Sequence, residues 1–144
     1  MTTEGAEVSG AKVALLRDGA VLAILRDDLP GLPYAGHWDL PGGGREGVES
    51  AEACVVREVF EELGLRIGVE RLVWRSVHAS VVMPGTVGLF FVAEITALEI
   101  SSVVFGDEGQ GWQMMPVVEF LAHKKAVPFL QERLSLALAA LTAG

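Results

Sequence analysis

Two short runs of mainly aliphatic residues near the start of the chain lie on either side of an Asp-Gly pair. The runs are AKVALLR and AVLAILR, and Asp18-Gly19 separates them. Such a pair fits the tight turns that join antiparallel strands, because glycine readily adopts the positive φ that these turns require. The pattern therefore predicts a β-hairpin. Two later runs, RLVWRSVHAS and TVGLFFVAEI, predict further strands.

Apolar residues recur at helical spacing in the middle of the chain. The periodicity predicts a helix from Ala51 to Leu63, with Ser50 as its N-cap and Gly64 ending it in a left-handed turn. At about 100° per residue, one stripe of this helix is apolar and should face the core. The residues of that predicted stripe are Val56, Val59, Phe60 and Leu63.

The remaining segments complete a mixed pattern of strands and helices. The stretch DDLPGLPYAGHWDLPGGGREG is rich in proline and glycine and predicts a long ordered loop with a short extended piece at Trp38–Leu40. The tail PVVEFLAHKKAVPFLQERLSLALAAL predicts a short helix and a longer one, broken near Pro128. We therefore expect an α/β fold whose sheet is not wholly parallel and whose helices cover both faces.

Length, charge and cysteine content narrow the class of protein. A chain of 144 residues suits one domain. The formal net charge of −8 argues against nucleic-acid binding, which depends on clustered Lys and Arg. With Cys54 as the single cysteine, no intrachain disulfide can form. The start, MTTEGAEVSGAK, does not have the pattern of a secretion signal, and the apolar end LSLALAALTAG is too short to span a bilayer. These features predict a cytoplasmic protein with no membrane partner.

The polar face of the predicted helix carries Glu58, Glu61 and Glu62. Like charges at this spacing repel each other, and acids near the helix C-terminus oppose the helix dipole. One explanation is a solvated face with Arg57 and Arg66 as counterions. The other is that the carboxylates bind hard divalent cations, which prefer several oxygen ligands. The helix alone leaves both explanations open.

The glycines before the helix and the acids within it form one spaced pattern. From Gly43 to Leu65 the chain reads GGREGVESAEACVVREVFEELGL. This segment resembles the box of the Nudix hydrolase family, G-x5-E-x7-R-E-U-x-E-E-x-G-U, at every specified position, where U is a bulky aliphatic residue. The flanking HWDLPGG also resembles the family. The resemblance implies a Nudix-type α/β/α sandwich with a mixed β-sheet, formed as a single domain by residues 1–144.

The resemblance also implies roles for individual residues. Mg²⁺ or Mn²⁺ would be held by carboxylates of the helix together with the backbone carbonyl of Gly43, while Glu49 and Arg57 would support and orient the acids. One of the glutamates would act as general base, and the family favours Glu58. The acids expected to act in catalysis and metal binding are Glu58, Glu61 and Glu62.

A second acidic segment, GDEGQGW, is similar to a loop that supplies a further metal-facing glutamate in MutT-type members. Glu108 is the expected ligand there and Asp107 the alternative; an acidic surface turn is the other interpretation. For the substrate, the candidate contacts are Arg26, Gly42 and His37, the last of which stands beside the glycines. The alternatives are a solvated Arg26 and a structural or surface His37.

The activity implied by the resemblance is metal-dependent hydrolysis of a nucleoside diphosphate linked to another group. A MutT-like reaction, which converts a nucleoside triphosphate to its monophosphate and pyrophosphate, is the first hypothesis. A nucleotide sugar or an alarmone is the alternative substrate, and a non-catalytic nucleotide sensor is the alternative class. The expected partner is thus a small nucleotide, and a homodimer is left open.

Overall fold

The structure is a computed structural model that describes residues 6–143. The start of the segment MTTEGAEVSGAK, from which no secretion signal is predicted, lies outside the described residues. The strands are β1 (Val8–Arg17), β2 (Ala20–Leu25), β3 (Trp38–Asp39), β4 (Gly42–Gly44), β5 (Trp74–Ala79), β6 (Val87–Glu94) and β7 (Gly111–Pro116). The helices are α1 (Ala51–Leu63), α2 (Ala97–Ser101), α3 (Val117–Ala122) and α4 (Pro128–Ala143), and Val69–Arg71 forms a 3-10 turn.

The strands form one mixed sheet with the order β3-β2-β1-β6-β5, to which β4 adds on β1 and β7 adds on β2. β1 and β2 are the predicted hairpin, and its turn residues Asp18 and Gly19 have φ of 49° and 78°. β1 and β6 run parallel, with Ala11 opposite Leu89. The other pairs of strands are antiparallel. The predicted mixed sheet is confirmed.

Two hydrophobic cores lie on opposite faces of this sheet. Alternate residues of the central strands point to opposite faces. Val13 and Phe91 pack with Val59 on the face covered by α1. Ala14 and Phe90 instead pack on the face covered by α3 and α4. Helices therefore cover both faces, and the expected α/β/α sandwich is confirmed.

Helix α1 has the predicted bounds and caps. The Ser50 hydroxyl accepts a hydrogen bond from the Ala53 N–H at 3.0 Å, and Gly64 has a φ of 68°. The predicted core stripe is wrong at Phe60, whose exposed fraction is 42% and whose ring lies under the Arg66 guanidinium at 4.3 Å. Val59 and Leu63 of the predicted stripe are buried, and Val56 packs against the same core. The buried residues are Ala51, Cys54, Val55, Val59 and Leu63.

Several elements were not predicted from the sequence. The triple glycine forms β4, and GWQMMP forms β7. The extended piece predicted around Trp38 is the two-residue strand β3. The predicted break in the tail is present, since α3 ends at Ala122 and Pro128 opens α4. None of the helices in residues 6–143 is both long and apolar enough to cross a membrane.

Candidate active site

Arg57 holds the acidic residues of the box together. Its guanidinium lies 2.7 Å from Glu49 Oε1, 2.8 Å from Glu58 Oε1 and 2.8 Å from Glu61 Oε2. It also donates to the Gly44 carbonyl at 3.0 Å, which ties α1 to β4. These hydrogen bonds lower the pKa of Glu49 to about 2 and raise the pKa of Arg57. The geometry agrees with the orienting role that the resemblance implies for Arg57.

Strand β4 brings its backbone directly against two of the glutamates. A Cβ on Gly43 would stand 2.7 Å from the Glu58 carboxyl, so the absence of a side chain is what lets Glu58 lie there. The N–H of Gly42 donates to Glu62 Oε1 at 2.8 Å. Gly42 has a φ of 136°, and an added Cβ would collide with the Ala11 carbonyl. The backbone therefore requires glycine at position 42, whereas at position 43 glycine leaves room for the Glu58 carboxyl.

Glu62 differs from the other acids because Arg57 does not reach it. Burial raises the pKa of Glu62 to about 7, while Lys12 and the Gly42 N–H oppose that rise. In the absence of a cation, the side chain is therefore partly protonated near neutral pH. A bound cation would stabilise the ionised form. Glu62 is the carboxylate of the box whose charge is least compensated by the protein.

The donors near β4 suit a hard divalent cation. No three His, Cys, Asp or Glu side chains in residues 6–143 are already arranged as a metal site, because Glu58 and Glu61 face Arg57 and Glu62 faces Gly42. The available donors are nevertheless carboxylate oxygens on adjacent turns of α1. With the Gly43 carbonyl they make an all-oxygen set, as Mg²⁺ and Mn²⁺ prefer. The donor chemistry of these oxygens fits such an ion.

The loop that carries Asp107 and Glu108 is anchored at the acidic end of α1. The Gly106 N–H donates to the Glu62 carbonyl at 2.9 Å, and the Gly109 N–H donates to Asp27 Oδ2 at 3.1 Å. Both acidic side chains of the loop are exposed. Within the described part of the chain, Glu108 makes no side-chain hydrogen bond or ion pair. Its role as a metal ligand stays a prediction.

A cleft of about 230 Å³ opens on the α4 side of β4. Gly43 and Gly44 line one part of it, and Phe129 and Arg133 of α4 line another. The carboxylates of Glu58 and Glu62 are not among the lining residues. Gly43, which touches Glu58 and also lines the cleft, connects the two features.

The predicted substrate residues occupy different positions relative to this cleft. Arg26 lines it, but its guanidinium is engaged with Asp39 at 2.8 Å and with the Pro33 carbonyl at 3.0 Å. His37 does not line the cleft, and its Nδ1 lies 3.0 Å from the Ala35 carbonyl. Its contact with substrate stays a prediction. Gly42 faces Glu62 rather than the cleft.

Sequence reasoning missed three charged residues of this region. Lys12 Nζ donates to Asp39 at 3.1 Å and to the carbonyls of Leu40 and Gly42 at 3.2 and 3.3 Å. Asp39 is buried and also accepts from Arg26. Arg133 is buried in the wall of the cleft. A lysine inside an apolar strand and an arginine inside an apolar helix were the available signals.

Comparison with known proteins places these features in a family. Residues 8–136 match the sequence profile of the NUDIX domain. A MutT-like protein of Streptomyces ambofaciens is 46% identical over 65 residues, which cover 45% of this chain and 38% of that protein. This chain thus matches well under half the length of that relative.

Solved structures share the fold. The MutT protein from Methanosarcina mazei Go1 superposes with a TM-score of 0.67 at 20% identity, over 89% of this chain and 91% of that one. A MutT NUDIX hydrolase from Burkholderia pseudomallei superposes with a TM-score of 0.59 at 26% identity, over 78% and 84% of the two chains. With the box on α1, the sandwich and a profile match that spans most of its length, the chain belongs to the Nudix hydrolase family.

Proposed function

We propose that this protein is a Mg²⁺-dependent hydrolase that cleaves a nucleoside triphosphate into its monophosphate and pyrophosphate. The observation that carries the proposal is the position of Glu58 and Glu62, which lie against the Gly42–Gly43 backbone next to the cleft. This arrangement supports a site where a polyphosphate crosses the glycine backbone and carboxylates stand beside it. All the box glutamates are retained, which favours an enzyme over a non-catalytic sensor.

The residues of the site have distinct parts in the proposed reaction. Glu58, Glu61, Glu62 and the Gly43 carbonyl would hold a divalent ion, which would neutralise phosphate charge and make a bound water more acidic. Glu58 accepts the proton of the attacking water while the water oxygen bonds to phosphorus. The bond to the leaving phosphate oxygen then breaks, and pyrophosphate departs. Arg57 keeps Glu58 and Glu61 in position throughout.

The test is a screen for pyrophosphate and phosphate release from nucleotides, with and without Mg²⁺. Pyrophosphate release that requires Mg²⁺ supports the proposal, and Glu58→Gln and Glu62→Gln should each lower kcat by roughly 10²–10⁴, the usual contribution of a general base. Glu52→Gln is the matched control, since Glu52 lies on the first turn of α1 and pairs with Arg75.

Other outcomes would count against the proposal in different ways. Cleavage of a nucleotide sugar into a nucleoside monophosphate and a sugar phosphate, or phosphate or pyrophosphate release from an alarmone, without turnover of triphosphates, would show the alternative substrate class. Near-normal turnover by Glu58→Gln and by Glu62→Gln would refute the catalytic roles assigned to these two residues. The absence of any turnover, with nucleotide binding retained, would favour the sensor.

A further inference from the structure

Arg133 is a buried cation in the cleft wall with no acidic partner among residues 6–143. Its exposed fraction is 8%, and its one hydrogen bond within that range runs from Nη2 to the Ala79 carbonyl at 3.1 Å. The guanidinium lies 4.7 Å from the centre of the Phe129 ring. Burial lowers the pKa of Arg133. An unpaired buried charge is costly, and a guanidinium has five N–H donors of which most are unused here.

Arg133 lies at one end of a row of three glycines in the floor of the cleft. Gly44, Gly10 and Gly88 are direct neighbours across β4, β1 and β6, and all three line the cleft. Nη1 of Arg133 lies above Gly88, 3.7 Å from where a Cβ would stand. Two strand spacings separate Gly44 from Gly88, about 10 Å. Arg133 is thus separated from the acidic end of the site by roughly the span of a nucleotide.

The surroundings of Arg133 suit a flat, mostly apolar group better than another phosphate. Aromatic and aliphatic side chains stand beside it in the cleft: Tyr34, Val81, Val82, Leu89, Val127 and Phe129. Such walls pack against a ring, whereas a second phosphate would lose much of its water against them. A polar group at the far end of an apolar pocket typically fixes the orientation of a ligand.

We propose that Arg133 reads the nucleobase by donating two parallel N–H groups to two adjacent acceptor atoms. Guanine offers such a pair in O6 and N7, and cytosine offers one in O2 and N3. In adenine each ring acceptor next to the exocyclic group adjoins an amino donor, and in uracil each carbonyl adjoins the N3–H. The cleft therefore favours guanine and cytosine nucleotides over adenine and uracil nucleotides. This inference rests on the proposed function in taking a nucleotide as the ligand.

The experiment measures equilibrium binding of GMP, CMP, AMP and UMP by calorimetry, and kcat/KM for the four triphosphates with Mg²⁺. The wild-type protein should bind GMP or CMP roughly 10-fold or more tightly than AMP and UMP, the usual discrimination of one bidentate arginine contact. Arg133→Met should lower the affinity for the favoured nucleotides to the affinity measured for the others. Arg133→Lys, which keeps the charge but not the planar pair of donors, should also lose the discrimination.

Arg17→Met is the matched control, because Arg17 lies beside the hairpin turn and, among residues 6–143, pairs only with exposed Asp18. A thermal unfolding scan of each variant separates base reading from a structural role. Equal affinity for the four monophosphates in the wild type, or undetectable binding of all four, would overturn the assignment. The assignment would also be overturned if Arg133→Met lost affinity equally for all four monophosphates and had a lower Tm. Selective binding without turnover of any triphosphate would overturn the proposed hydrolysis and leave the base assignment standing.

Discussion

Arg57 connects three of the box glutamates to the backbone of β4 through one planar group. The like charges on α1 are therefore partly compensated within the protein itself, as the counterion explanation requires for Glu58 and Glu61. Arg66, the other expected counterion, stacks on Phe60 instead. Glu62 remains outside this network and is the residue that most favours the cation explanation.

Arg57→Lys should lower kcat by roughly 10–100-fold and raise the Mg²⁺ concentration needed for half-maximal activity. Lysine cannot reproduce the fork that orients Glu49, Glu58 and Glu61 together, and partners that orient metal ligands typically contribute this much. The measurement is a Mg²⁺ titration of the initial rate. Arg66→Lys, near the C-terminus of the same helix, is the control and should keep the wild-type titration. An unchanged titration in Arg57→Lys would contradict the orienting role.

Glu99 allows a prediction about acid stability. It closes the capping box of α2 by accepting from the Thr96 N–H at 2.9 Å, and Arg71 lies 2.8 Å from its carboxylate. The pKa of Glu99 is lowered to about 2, and the hydrogen bond from Arg71 is the main cause. Because the folded-state pKa is lowered, the stabilisation is present above pH 4.5 and is lost as pH falls toward 2.

Glu99→Gln should therefore cost about 1 kcal/mol of unfolding free energy at pH 7, as lost caps and ion pairs usually do. Urea unfolding at a series of pH values measures the gap between variant and wild type, which should narrow below pH 4.5. Glu119→Gln, on an exposed face of α3, is the control. A gap that stays constant from pH 7 to pH 3 would show that the ionised carboxylate is not responsible.

At the scale of elements, β4 joins the glycine-rich loop to the carboxylate-bearing face of α1. Gly43→Ala adds a methyl group at the place where Glu58 lies, although the backbone of Gly43 itself is unstrained. We expect weaker Mg²⁺ binding with the Tm close to wild type. Gly44→Ala is the control for metal affinity, since its added methyl meets nothing closer than the Ser9 carbonyl at 3.8 Å. Equal Mg²⁺ affinities for the two variants would refute the steric argument.

The elements that could be predicted are those with local signals. Ser50, the apolar periodicity and Gly64 lie within one short segment, and they gave α1 its correct bounds. β4 and β7 carry little strand-forming pattern, because one is all glycine and the other reads GWQMMP. Both are strands because they pair with β1 and β2, which are distant in sequence. Phe60 was misplaced because periodicity alone does not show where the buried stripe of α1 ends.

In the candidate site too, the features with a local sequence signal could be predicted and those formed by distant residues could not. The spacing of the box was enough to identify Glu58, Glu62, Arg57 and Gly43 as a group, and the structure brings these residues together. Lys12 and Asp39 meet across 27 positions, and Arg133 meets Ala79 across 54. No local sequence pattern indicates contacts between residues so far apart in the chain, so the cleft could not be predicted from the sequence.

At the scale of the whole molecule, α4 holds one face of the sandwich and supplies two residues of the cleft. Leu134 is fully buried in the core between α4 and the sheet. Leu134→Ala should lower the free energy of unfolding by about 2–5 kcal/mol, the usual cost of a cavity at such a site. Leu136→Ala, at a position with 55% of the residue exposed, should change it by less than about 0.5 kcal/mol. Urea unfolding measures both, and similar values would contradict the packing of α4.

The parallel pairing of β1 with β6 has a consequence for how the chain folds. Ser9 and Val87, which hydrogen-bond at this junction, are 78 positions apart. The central seam of the sheet thus forms only after a long segment has closed on itself, and such loop closure must be completed before its contacts stabilise anything. During synthesis on the ribosome, the edge of β1 that pairs with β6 stays exposed until most of the chain has emerged. Premature association of nascent chains would begin at that edge.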